Sequence, residues 1–119
     1  MTTTFVDPLG LQATVSAKMG IVSITIASSP IEDIPHDCGW MVALLTPIDS
    51  ASKARLPSNA AIGDIVEMHV MDSAFTKATV LAPSGEAING SGEVVQGQRR
   101  LFRKVSATLW SALGTPFTS

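Results

Sequence analysis

Apolar and polar residues alternate with a period of two along most of the chain, and no stretch keeps the 3.6-residue period of an amphipathic helix. Residues 11–17 alternate roughly, and Lys18-Met19-Gly20 interrupts them. In the following run Val22, Ile24 and Ile26 share one face, with Ser23 and Thr25 on the other. That pattern predicts a half-buried strand paired as a hairpin with the one before it. Residues 28–39 hold two prolines, Gly39 and three acids, and read as a long loop. Residues 40–45 are nearly all apolar and are stopped by Thr46-Pro47, which predicts a central strand buried on both faces. A short strand at 54–56 precedes the Pro57-Ser58-Asn59 turn. Residues 64–71 alternate again, with Val66, Met68 and Val70 inward and Glu67 and His69 outward. Strands are also expected at 76–82, 93–96, 100–105 and 108–113, punctuated by turns at Pro83-Ser84-Gly85 and Asn89-Gly90-Ser91-Gly92, where Gly and Asn accept positive φ.

Short strands at such regular spacing predict an all-β fold, a compact antiparallel β-sandwich or jelly-roll-like barrel with extended termini. The expected organisation is an N-terminal arm at 1–10, one domain at 11–114 and a C-terminal tail at 115–119.

Composition sharpens this picture in one respect. Only 15% of the 119 residues are charged, whereas a typical domain has about 25%. A small domain has more surface per residue and should need more charge, so part of the surface is expected to be covered by an assembly partner. The charges are also unevenly placed. Through residue 52, Lys18 alone stands against Asp7, Glu32, Asp33, Asp37 and Asp49; beyond it seven bases outnumber five acids. Arg99, Arg100, Arg103 and Lys104 crowd into one strand. Opposite-sign ends suit contacts between copies or docking onto an acidic surface.

Several function classes lose support. A net charge of −2 is not the basic field of a nucleic-acid binder, and charges on both faces of the basic strand dilute any stacking platform around Phe102. The longest apolar run is far short of the roughly 18 residues of a membrane span, and the N-terminus lacks the form of a signal peptide. One cysteine, Cys38, makes no intramolecular disulfide. His36, Asp37 and Cys38 are one candidate metal or nucleophile cluster. His69 is the only other soft ligand, and no oxyanion-hole segment or orienting partner is legible. No nucleophile elbow, carboxylate pair or phosphate loop stands out. Asn89-Gly90-Ser91 matches a glycosylation sequon but reads as a tight turn. The expectation is a protein that is not an enzyme, with no cofactor or metal.

Residues 56–114 carry Leu56-Pro57, Ile62-Gly63-Asp64 leading into Val66, Met68 and Val70, then Pro83-Ser84-Gly85-Glu86, Ile88-Asn89-Gly90-Ser91 and Phe102-Arg103-Lys104-Val105 closing on Trp110. In this half the chain resembles a recurrent β-module of tailed-bacteriophage virion proteins, found in fibre, tail-adaptor and capsid-decoration subunits. The resemblance implies a virion structural protein, often a symmetric trimer. The first half has no fibre-like repeat or triple-stranded shaft pattern, which favours a capsid decoration or cement subunit. Such a subunit binds the major capsid protein on the outside of the shell and is made in the host bacterial cytoplasm. The alternative is a tail- or head-fibre module that binds a host receptor or glycan. The expected contact residues are Phe5, Leu9 and Leu11 of the arm, Trp40, and Arg99, Arg100, Arg103 and Lys104.

Overall fold

The computed structural model describes residues 19–71 and 73–113, and their regular structure is entirely β. Ten strands form: β1 (Met19–Ile26), β2 (Glu32–Asp33), β3 (Trp40–Pro47), β4 (Lys53–Arg55), β5 (Ile65–Val70), β6 (Lys77–Leu81), β7 (Ala87–Asn89), β8 (Glu93–Val95), β9 (Arg99–Ser106) and β10 (Leu109–Leu113). They make a six-stranded sheet in the order β1-β3-β5-β9-β10-β7 and a four-stranded sheet in the order β2-β4-β6-β8.

From β1 to β6 the chain visits the two sheets in turn. Odd strands stack in parallel on one side, Met19 opposite Trp40 and Trp40 opposite Ile65. Even strands stack in parallel on the other, Glu32 opposite Ala54 and Ala54 opposite Val80. This is a β-solenoid, not the antiparallel sandwich or barrel that the sequence suggested. Side-chain alternation is the same in parallel and antiparallel strands, so the period could not separate them. The expected hairpin before β1 lies outside the described residues; within them β1 pairs with β3 in parallel. The loop read at 28–39 holds β2 and the fully buried Ile34.

The chain then reverses to close the coils. β8 runs antiparallel to β6 and β9 antiparallel to β5, while β10 returns antiparallel along β9 and pairs in parallel with β7. Two glycines make this reversal feasible. Gly90 has φ +114°, and a Cβ on Gly92 would stand 2.5 Å from the carbonyl oxygen of Val80, so the β8 entry can approach β6 only without a side chain.

The core lies between the sheets. Ile26, Ala43, Leu45, Val66 and Met68 from the large sheet meet Ala54, Val80 and Val94 from the small one, with Phe102 and Trp110 fully buried at the closing end. β3 is central and almost continuously covered, as its apolar run predicts. At one corner Asp49 ties adjacent coils together. Its carboxylate accepts from the backbone N–H groups of Ser28 (2.9 Å) and Ala51 (3.0 Å), and the buried Ser52 hydroxyl lies within 3.1 Å of it and of the Ile26 carbonyl.

Two expected outcomes follow from this packing. Trp110→Ala should lower unfolding free energy in urea by about 3–5 kcal/mol, because the cavity cannot collapse inside a fully covered core. The N–H of Ser28, with smaller help from Ala51 and Ser52, holds the Asp49 carboxyl below its ordinary value of 3.8. A lowered folded value gives stability that is present above that range and is lost as pH falls through it. Thermal melts should therefore show Asp49→Ala below wild type at neutral pH, the gap closing under acid.

A candidate interaction face

Strand parity on β3, β5 and β9 decides what each sheet face presents. Arg100, Phe102 and Lys104 point inward, while Arg99, Leu101, Arg103 and Val105 point outward. The register then sets outward residues in rows across the large sheet: Trp40–Ile65–Arg103, Ile21–Val42–Glu67–Leu101, and Ser23–Leu44–His69–Arg99. Three sequence-predicted contact residues, Trp40, Arg99 and Arg103, thus share one face.

Two of the expected contact residues do not belong to that surface. Arg100 and Lys104 are buried, and their inward parity takes them out of reach of a partner docking on the outer face. Lys104 Nζ sits 3.3 Å from Glu86 Oε1, which also accepts from Trp110 Nε1 at 2.8 Å. Lys104 also lies 5.9 Å over the Trp110 ring. The Arg100 guanidinium donates to the carbonyls of Glu93 (3.1 Å) and Ser91 (3.0 Å) and lies 5.8 Å over Phe102. Both cations therefore lock the closing layer. Phe5, Leu9 and Leu11 lie outside the described residues.

The outer face mixes apolar and charged positions. Ile21 is 71% exposed and Val105 43%, and Leu44 and Leu101 are half-buried beside them. The Trp40 indole donates to Glu67 Oε1 at 3.2 Å, diagonally across the Val42 and Ile65 positions, and both of these are nearly covered. Glu67 also holds His69 Nε2 at 2.7 Å. Arg99 and Arg103 are exposed and form no ion pair with any described residue. Outward charge and apolar side chains on a broad, regular sheet suit contact with another macromolecule's surface.

The other candidate chemistry is not assembled. His36 Nε2 lies 2.6 Å from Asp64 Oδ2, out of line for a hydrogen bond. The Cys38 thiol instead donates to the Trp40 carbonyl at 3.5 Å and touches Met41 Sδ. The imidazole and thiol are thus engaged with different partners. Among the described residues no group of three or more His, Cys, Asp or Glu is gathered as metal ligands. A cavity of about 160 Å³ beside Ser50, Phe75 and Lys77 is smaller than the roughly 300 Å³ at which ligand pockets begin. No helix among the described residues is long and apolar enough to cross a membrane.

No protein-family model matches the chain, and no curated protein matches its sequence.

Glu67→Ala should free the indole and open the Val42–Ile65 floor. The expected readout is a change in the fluorescence of Trp40, measured with Trp110→Phe as background, while the far-ultraviolet circular dichroism stays that of a β-protein. An unchanged spectrum would mean that Glu67 does not hold the indole down.

Proposed function

We propose that this chain is a structural subunit of a bacteriophage virion, a decoration or cement protein that binds the outer capsid surface as a homo-oligomer, in keeping with a trimer. The observation that carries the reading is the outer face of the six-stranded sheet, where Ile21, Leu44, Leu101 and Val105 lie uncovered or half-covered on the same face as Arg99 and Arg103, which form no ion pair with a described residue. A lone domain gains nothing from leaving such a face in water, whereas burial against another subunit of the assembly would stabilise by about 25 cal/mol per Å² of apolar area. The role is mechanical. A subunit bridging neighbouring capsomers adds its binding free energy to the barrier for shell disassembly. The sparse charge of the chain and the resemblance of residues 56–114 to phage β-modules support the same reading.

A second reading, a tail- or head-fibre module that binds a host receptor or glycan, draws support from the parallel coils, because solenoids are the architecture that extends by stacking.

Sedimentation with purified empty capsids separates the two. Co-sedimentation, with a rise in the temperature at which the shells come apart, is the outcome expected for a decoration subunit. Retention on host-envelope polysaccharide without capsid binding would replace it with the fibre reading. Failure of both assays would remove virion function altogether.

A further inference from the structure

Charge is segregated along the stacking direction of the solenoid. The first described coil, residues 19–39, carries Glu32, Asp33 and Asp37 and no lysine or arginine. The closing hairpin, residues 99–113, carries Arg99, Arg100, Arg103 and Lys104 and no acid. Sheet order puts them far apart, for among the described strands β1 and β2 lie at the edges and β9 lies beyond β5 towards the opposite edge. Of the four bases, Lys104 is neutralised by Glu86 and Arg100 is buried against backbone carbonyls, so the outward charge is that of Arg99 and Arg103. Of the three acids, Asp33 is engaged by Arg55 at 3.2 Å, which leaves exposed Glu32 and Asp37 with no ion pair to a described residue. Two cations and two anions, none of them in an ion pair with a described residue, are thus kept apart by their own fold.

We propose that a second copy of this chain supplies the missing partner: the outer face around Arg99 and Arg103 of one copy receives the acidic first coil, Glu32 and Asp37, of the next. The contact deepens the self-association in the reading above and rests on it. Because the two patches differ, the contact is heterologous and propagates head to tail, closing into a ring where the rotation permits. The area is adequate. The six strands, eight residues long in β1, β3 and β9 and shorter in the others, at about 3.3 Å rise and about 4.8 Å spacing give a footprint of roughly 600 Å², on the scale of the roughly 800 Å² per partner of a stable interface. Apolar side chains at Ile21, Leu44 and Leu101 supply burial, and the charges fix polarity and register. Two arginines neutralise too few phosphates to make this a nucleic-acid surface.

Light scattering on the full chain tests the contact. Wild type should have the mass of two or more chains at low salt and lose mass as salt screens the charges. The double variants Arg99→Glu/Arg103→Glu and Glu32→Arg/Asp37→Arg should each be monomeric with unchanged melting temperature, since all four side chains are exposed. Mixed together, the two variants should reassociate, each offering the surface that the other needs, and the quadruple variant should recover the wild-type mass. Thr79→Arg, on the exposed face of the other sheet, should change nothing. A monomeric wild type, variants that keep its mass, or a mixture that stays monomeric would overturn the proposal. A monomer that still sediments with capsids would end this contact while leaving the decoration reading standing; an oligomer that ignores capsids would do the reverse.

Discussion

The structure depends on burial that no coil can complete alone. Each pass of the chain lays one strand in the large sheet and one in the small, and the inward side chains of both are covered only when the next coil stacks beside them. Ile26, Ala43, Leu45 and Met68 belong to strands joined by parallel ladders, and Ala54 and Val80 face them from the other sheet. The corner contacts serve the same end. Asp49 and Ser52 satisfy backbone groups of two successive coils where the chain leaves one sheet for the other. Backbone pairing, corner capping and core packing thus act on a single quantity, the alignment of neighbouring coils.

The closing layer meets a different difficulty, because β9 sends two cations into the core. Burial of a charge is costly unless hydrogen bonds or an opposite charge offset it. Lys104 has Glu86, and Glu86 is held in turn by the Trp110 indole, so the three form one connected group. Arg100 has two carbonyls of the 91–93 segment, which ties β8 to β9 across the gap between the sheets. These inward charges fix how the last strands dock, since a shift of β9 by one residue would send all of them outward and Arg99 and Arg103 inward. The polarity of the outer face is therefore set by the same register that satisfies the interior.

Much of this was legible in the chain, and what was missed has a physical reason. Alternation located β1 and β5, a continuous apolar run located β3, and short runs between turn signals located β4, β6, β8, β9 and β10; alternation along β9 also separated Arg99 and Arg103 from Arg100 and Lys104. It did not say which of the two sets faces the core, because a strand with charge on both sides offers no preferred interior until its neighbours are known. β2 and β7, two and three residues long, are too short to show any period. The direction of pairing was misread for a related reason. Parallel neighbours need a long crossover, and the segments before β3 and β5 are long enough to supply one, but their prolines and glycines read as loop. In a solenoid that crossover is a strand of the facing sheet. Glu86 as the partner of Lys104 had no signal in the spacing of the residues, since the contact is made by the fold alone.

Strand length bears on where a partner can attach. Backbone addition at a sheet edge needs a run of free N–H and C=O groups. Among the described strands, three of the four at sheet edges offer little, for β2, β7 and β8 are no more than three residues each. The broad outer face of the large sheet offers instead a lattice of side chains whose spacing is set by the ladder and whose charges lie at fixed rows. Recognition through that face would use side-chain chemistry, and its orientation would follow from the separation of Arg99 and Arg103 from Glu32 and Asp37. A chain built in this way carries its charge asymmetry in the stacking order of its coils, so that the constraint that folds the described residues also gives them two unlike ends.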